Sequence, residues 1–547
     1  MENQLFEQIL ARLDQMAAQS AAALKQTAQS MAAIERLTAR VAALEAASPS
    51  TTPTVMEPVV LASEALTLNT PKNKGVILCL DFGTARSKAF ATDSDVLLDL
   101  AIGQRAGHGG ATHSVLSCIF ITDEGRIHFG EAAASMSELP VMNGGRRRID
   151  SIKAMITNSA PGSDLTAVFC DSAVNPTDAK LSDGDLLTLY LAYLTDMAGL
   201  ELSARHGKSR YVLRRFTTPV FDQKQQQWAD ETLRHHYCEA VLVADYFTGR
   251  WNDGIEVKEA LRVVRASRRD RERVRYLTGD PLMEPIAAFA SRFRGFTSTE
   301  QRRVLITIID AGAGTIDFAT FAISENLNAG LTMFTVQGSI HVFKKAGNEI
   351  DRILHKYILD QAQQKHAGID KATMARIEAD LSLQQRRIKE ELFRDGRREY
   401  QLADGTRGEI ILADFLNLDA VKVFAADLQM EFVKSLKGMD PSWIRECGRY
   451  KLYVVATGGS AGLPMVAALG KLNPRVNEIP TECHGMATIP AWVSTKYPEL
   501  AQQYPQLAVA IGGAQPVLPT YSEKQYVQFE GLSDAGKWVI EPALRGA

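Results

Sequence analysis

The first 46 residues place apolar or small side chains at alternating three- and four-residue intervals. With Phe6 at a heptad a position, Phe6, Ile9, Leu13, Met16, Ser20, Ala23, Thr27, Ser30, Ile34, Leu37, Val41 and Leu44 fill successive a and d sites without a break. Such a repeat keeps one seam facing a partner helix, and it predicts a coiled coil over residues 1–46. One amphipathic helix folded back on the rest of the chain would produce the same spacing. The middle of the seam, from Ser20 to Ser30, is small and polar, so the outer heptads carry most of the expected association. The stretch SPSTTPTVMEP (48–58) then abandons the pattern. Its Ser, Thr and Pro bury too little apolar surface to order themselves, which predicts a flexible linker over 47–74.

From about residue 75 the period changes. Short β-branched runs such as 76–80 and 304–309 alternate with longer helical patterns, the signature of an α/β architecture. No internal repeat is evident at a period of 20 to 50 residues. At 547 residues the chain is too long for one ordinary core. Hydrophobic residues make up 46% of it and charged ones 23%, as in soluble globular proteins.

Charge and cysteine usage narrow the partners. A net charge of -3 gives no global attraction to nucleic acid or to an anionic membrane. The arginine-rich residues 262–275 are interrupted by Asp270 and Glu272 and carry no interleaved aromatic platform, so they read as a solvated helix face; Arg146, Arg147 and Arg148 read the same way. No apolar stretch of about 18 residues predicts a membrane span, and MENQLFEQIL lacks the layout of a signal peptide. A cytoplasmic location is therefore expected. The six cysteines show no CxxC spacing, which fits reduced thiols.

The candidate chemistry lies where strands end. The run 76–80 stops at Asp81 and is followed by Gly83 and Thr84; the run 304–309 stops at Asp310 and is followed by Gly312, Gly314, Thr315 and Asp317. Asp and Gly end strands for purely conformational reasons too. Two such turns more than two hundred residues apart nevertheless suit a polyphosphate with a divalent cation. Glycines let backbone N–H groups approach phosphate oxygens, Thr hydroxyls donate to them, and Asp carboxylates hold Mg²⁺ through its waters. A third strand, in KLYVVATGGSAGLPMV (451–466), ends at Gly458, Gly459 and Ser460, bare backbone against which a flat ring can lie. The GxxxxGK[ST] loop is absent.

In this order the three turns resemble the actin, sugar kinase and heat-shock chaperone ATPase superfamily, and most of all the nucleotide-binding domain of the seventy-kilodalton heat-shock chaperones. MEPIAAFA (283–290) and YPQLAVAIGGA (504–514) are similar to the family's two connecting helices, FTTPVFDQKQQQ (216–227) to its strand ending in Val-Pro, and KAGNEID (345–351) to its Gly-Gly-Glu-x-x-Asp segment. The resemblance implies a two-lobed actin-like ATPase fold, with two ribonuclease-H-like domains around a nucleotide cleft: lobe I over 75–300, lobe II over 301–515, and a tail over 516–547. It implies ATP or ADP with Mg²⁺ as the ligand, Asp81, Asp310 and Asp317 around the metal, and Gly83, Thr84, Gly312, Gly314 and Thr315 on the phosphates. Lys153, in DSIKAMI, matches the lysine that orients the attacking water, and Glu284 helps place that water. Asp310 and Thr315 belong with them in the catalytic set. Gly347, Lys389, Gly458, Gly459 and Ser460 would contact phosphate or nucleoside.

Gly462 stands where the family has an arginine stacking on adenine, Arg386 where it has an acid, and Gln506 where it has an aspartate. All three departures fall on the nucleoside side. About thirty residues follow the last motif, too few for the family's peptide-binding β-sandwich. The expected function is thus an ATP-binding, slowly hydrolysing switch that acts through self-association or a coiled-coil partner. A small-molecule kinase of the same superfamily and a non-catalytic nucleotide-bound scaffold are the alternatives. Removing residues 1–60 is expected to change the mass measured by light scattering while leaving nucleotide binding intact; loss of nucleotide binding would place the domain boundary elsewhere.

Overall fold

The computed structural model describes residues 59–105, 113–142, 145–221, 223–292, 303–326, 330–365 and 370–521. The coiled coil read over 1–46 and the end of the tail lie outside the described residues, all of which belong to one compact unit starting at Val59. That unit is mixed α/β, and two sheets organise it.

The first sheet contains β1 (Val76–Asp81), β2 (Arg86–Asp93), β3 (Val96–Asp99), β4 (Ser114–Leu116), β5 (Leu213–Thr218) and β6 (Leu282–Met283). Its order is β3-β2-β1-β5-β6, with β4 also paired to β2. The second contains β7 (Arg303–Ala311), β8 (Ile316–Asn326), β9 (Gly330–Thr335), β10 (His341–Phe343), β11 (Lys451–Thr457), β12 (Glu482–Gly485) and β13 (Thr520–Tyr521). Its order is β12-β11-β7-β8-β9-β13, with β10 on β8. The two sheets share one plan. In each, a tight antiparallel hairpin (β1/β2, β7/β8) continues antiparallel on one side (β3, β9) and parallel on the other (β5 and β6, β11 and β12). Asp81 and Asp310 occupy the same place in that plan, at the carboxyl end of the strand where the two senses meet. Open α/β sheets bind ligands at such a point.

The central strands are buried on both faces: Leu78, Cys79 and Leu80 are fully covered, as are Leu305 and Ile309. Parallel pairing requires crossover helices, and these supply the cover. Between β4 and β6 the chain forms α1 (Asp183–His206) and α2 (Gln223–Phe247). Ser182 and Asp185 close a capping box at the start of α1, and Gly207, at φ 62°, ends it in the left-handed region. After β6 comes α3 (Glu284–Arg292); between β10 and β11 come α4 (Gly347–Lys365) and α5 (Lys371–Asp395); after β12 comes α6 (Tyr504–Gly513).

Two helices change sides. α3 leaves the first sheet yet buries Ile286, Ala287 and Phe289 with Ile306, Ile308 and Phe321 of the second, and the Phe289 and Phe321 rings stack at 4.0 Å. α6 follows the second sheet yet packs Leu507 and Ile511 with Phe90 of the first. Where they cross, Gly512 lies so near α3 that an added Cβ would stand 1.7 Å from the Ala287 carbonyl oxygen. Only a residue without a side chain admits that approach.

The folded unit begins earlier than the linker reading of 47–74 allows. Leu61 and Ala65 are buried in the first core, Ser63 caps a short turn by accepting from Ala65 N–H at 3.2 Å, and Tyr276 Oη donates to the Ala65 carbonyl at 2.8 Å. Leu61 and Ala65 of VVLASEAL, with Val59 and Leu66 packed beside them, anchor the chain before residue 75, while Val60 stays exposed. At the other end, within the predicted tail, β13 adds to the edge strand β9. Among the described residues no helix is long and apolar enough to cross a membrane.

Gly512→Ala is expected to destabilise the protein by about 3 kcal/mol, the upper end of overpacking costs, measured by urea or thermal unfolding. Gly145→Ala, whose methyl would meet nothing within 4 Å, is expected to stay within about 0.5 kcal/mol of wild type.

Candidate functional site

Two hairpin turns build the centre of the site. Residues 82–85 join β1 to β2; a Cβ on Gly83 would fall 2.1 Å from the Arg86 carbonyl oxygen, so this turn needs glycine. Residues 312–315 join β7 to β8, closed by Gly312 N–H donating to the Thr315 carbonyl at 3.0 Å. The tips meet: a Cβ placed on Gly314 would lie 3.1 Å from Thr84 Oγ1. Asp81 and Asp310 therefore face one shared cavity of about 380 Å³, within the size range of small-molecule sites.

The remaining loops are fastened to the second hairpin. Gly458, at φ 88°, leaves no room for a Cβ, which would stand 2.6 Å from Asp310 Oδ1. Ser460 N–H donates to the Ala311 carbonyl and Ser460 Oγ to the Gly312 carbonyl, both at 2.8 Å. Gly347 N–H reaches the Gly312 carbonyl at 3.3 Å and Asn348 N–H the Ala313 carbonyl at 2.8 Å. Lys389 Nζ, on α5, donates to the Gly347 carbonyl at 3.2 Å and to Asp351 Oδ2 at 2.8 Å.

Of the residues singled out from sequence, Asp81, Gly83, Thr84, Lys153, Glu284, Asp310, Gly312, Thr315, Lys389, Gly458, Gly459 and Ser460 line the cavity. Gly314, Gly347 and Asp317 do not; they sit one layer behind, against Thr84, Ser460 and Thr315 respectively. The three departures, Arg386, Gly462 and Gln506, line the same cavity. Lys88 and Thr217 were not singled out. Lys88 Nζ donates to Asp81 Oδ2 at 3.0 Å and Thr217 Oγ1 to Asp81 Oδ1 at 3.2 Å. The signal for Lys88 lay in the hairpin register, which sets it directly opposite Asp81; Thr217 needed knowledge of the parallel pairing of β1 with β5. Asp351, the last residue of KAGNEID, acts on the site by holding Lys389 Nζ at 2.8 Å.

The electrostatics are those of crowded carboxylates out of water. Asp81, Glu284, Asp310 and Asp317 are all buried. Lys153 Nζ pairs with Glu284 Oε1, and Lys88 with Asp81. Burial, then the neighbouring charges of Glu284, Asp317 and Asp81, hold the Asp310 carboxyl well above its ordinary range. Burial and Glu284 push Asp317 up to about 7, although Thr315 Oγ1 donates to it at 2.9 Å and Val220 N–H at 3.4 Å. Glu284 also rises, through burial, against the pull of Lys153. Burial disfavours charge on Lys153, yet Glu284 and then Asp81 outweigh it and raise its pKa.

In the buried centre Asp81, Glu284, Asp310 and, one layer behind, Asp317 stand beside the two ammonium groups of Lys88 and Lys153, while the rest of the cavity wall carries Arg86, Arg386, Lys389 and Arg394 against one acid, Glu390. Among the described residues no three His, Cys, Asp or Glu side chains converge as a direct ligand set. Carboxylates ringed around a space rather than a point fit Mg²⁺ that keeps its water shell, not a dehydrated, tetrahedral zinc ion.

The arginine-rich stretches are engaged elsewhere: Arg268 with Asp185 at 2.6 Å, Arg271 with Glu239 at 3.0 Å, Arg147 with Asp171 at 2.7 Å and Arg148 with Asp150 at 2.5 Å. No protein-family model and no curated protein matches the chain.

A carboxyl whose pKa is raised on folding favours the folded state in its neutral form. For Asp317 that contribution is complete below the ordinary value of 3.8 and disappears as pH rises through about 7. The melting temperature of the metal-free protein is therefore expected to fall between about pH 5 and pH 8. Added Mg²⁺ and nucleotide should stabilise more at the alkaline end, because protonated carboxyls must release protons before they hold a cation. Scanning calorimetry across that window checks both signs, and a gain from Mg²⁺ that is larger at acid pH would contradict the cluster's role.

Proposed function

We propose that the protein is a magnesium-dependent ATP-binding switch that hydrolyses ATP slowly, built as a two-lobed actin-like ATPase of the heat-shock-chaperone type. The observation that carries this reading is the contact of Thr84 with Gly314, which brings two topologically equivalent, aspartate-tipped hairpins onto one cavity. Asp81, Asp310 and, through Thr315, Asp317 would hold Mg²⁺ by its waters. The metal would neutralise charge on the β- and γ-phosphates. Backbone amides around Gly83, Gly312 and Gly314, with the Thr84 and Thr315 hydroxyls, suit the phosphate oxygens.

Hydrolysis needs a water in line with the bond between the γ-phosphorus and its bridging oxygen. Lys153 would orient that water and offset charge on the transferring group, while the buried Glu284 carboxylate, whose pKa is raised, takes its proton as the phosphorus–oxygen bond forms. The bond to the bridging oxygen breaks and ADP leaves. Positioning and charge neutralisation supply most of the acceleration in this chemistry. Cleft opening after phosphate release would be the two-state element, sensed through residues 1–46 by another copy or a coiled-coil partner.

Phosphate release from Mg·ATP by the purified chain tests the reading. Lys153→Ala is expected to slow release by about 10²-fold or more, as loss of one preorganised donor does, with ATP still bound. Transfer of phosphate to a small molecule would instead favour a kinase, full cellular function of a Lys153→Ala, Asp310→Asn pair would favour a non-catalytic scaffold, and wild-type rates in Lys153→Ala would remove that lysine from the mechanism.

A further inference from the structure

Helix α5 turns one face to the cavity. Arg386, Lys389, Glu390, Phe393 and Arg394, spaced three or four residues apart, all line it. Phe393 is the one aromatic ring among the residues that line the cavity. It is half-buried and held by edge-on packing against Phe415, with centroids 6.2 Å apart and planes at 87°. Gly459, Gly462 and the buried Leu463, from the loop after β11, line the same cavity.

The glycines of the site fall into two kinds. A Cβ on Gly83, Gly347 or Gly458 would meet another atom at 2.1, 2.6 or 2.4 Å, so these three permit close approach within the protein. A Cβ on Gly459 or Gly462 would meet nothing within 4 Å. Both glycines are exposed, so their bare backbone is open to a ligand in the cavity that Leu463 and Phe393 also line. The slot suits a flat aromatic ring.

The polar groups near it are poorly placed to read a particular ring edge. Among the described residues neither Arg386 nor Gln506 makes a side-chain hydrogen bond that would fix its orientation, although both line the cavity. Strong discrimination between bases requires donors and acceptors held in place before the ligand arrives. Stacking carries no such requirement, since every base has a π-face.

We propose that Phe393 is the platform on which the base of the nucleotide stacks, with the bare backbone of Gly459 and Gly462 beside it, so that the site takes nucleoside triphosphates with little preference for adenine over guanine. This rests on the nucleotide reading above and adds a specificity to it.

Calorimetric titration of the full chain with Mg·ATP, Mg·GTP and Mg·tripolyphosphate, the last a probe without a base, separates the two. ATP and GTP are expected to bind within about threefold of each other; Phe393→Ala should weaken both by about tenfold, within the range known for base–aromatic stacking. Phe393→Trp should restore them, and tripolyphosphate should bind wild type and both variants alike. ATP bound more than about tenfold tighter than GTP, or nucleotide affinity untouched by Phe393→Ala, would overturn the stacking proposal and leave the nucleotide site standing. Loss of tripolyphosphate binding in Phe393→Ala would show that the ring supports the fold instead. Failure of wild type to bind any of the three would remove both readings.

Discussion

The structure turns on gathering like charges where water cannot screen them. Four carboxyls buried at the ends of β1, β7, β8 and α3 oppose one another's ionisation, which raises Asp310, Asp317 and Glu284, while Lys88 pairs with Asp81 and Lys153 with Glu284. Such a cluster persists only because rigid neighbours hold it. Asp81 is fixed by Lys88 and Thr217, Asp317 by Thr315 and the Val220 amide, and Glu284 by Lys153. One of these contacts, Val220 N–H to Asp317, joins the end of the first sheet to the second, so the cluster also helps to hold the two sheets together. A cation and a polyanion entering together would relieve the opposition among the carboxyls, which supports the proposal of a metal-bound phosphate chain as the ligand.

The mechanical consequence follows from the crossing helices. α3 carries Glu284 from the end of the first sheet onto the second, and α6, which lines the cavity with Gln506 and Val509, packs Leu507 and Ile511 back on the first. A change of charge in the cavity therefore acts directly on both connections between the halves. Gly512 lets them cross at backbone distance, and Arg215 ties the end of α6 to β5 by donating to the Gln515 carbonyl at 2.6 Å. Switching by lobe movement needs such short, stiff links, because a slack connection would not pass a local change on to the whole.

Much of this was legible in the sequence, for identifiable reasons. The strand-Asp-Gly-Thr turns could be found because turn chemistry is local: glycines are dictated by close approach, and an aspartate ending an apolar run stands out. Lys153 and Glu284 depended on a resemblance, since nothing near either residue announces that they meet across 131 positions. Lys88 and Thr217 were hidden because strand pairing, not composition, brings them to Asp81. The duplicated strand plan was reachable only through the resemblance, which implies two ribonuclease-H-like domains, because no repeat shows in the residues themselves. The linker was drawn too long because VVLASEAL looks unremarkable until its Ala65 is seen under Tyr276.

The most direct test of the central claim is a double-mutant cycle on Asp81→Asn and Asp310→Asn, read as the Mg²⁺-dependent affinity for ADP. If both aspartates act on one metal-bound phosphate chain, the losses will not add, and the coupling will reach about 1 kcal/mol or more. Losses that sum to within about 0.5 kcal/mol would mean that the hairpins act independently and that the shared cavity is not one site.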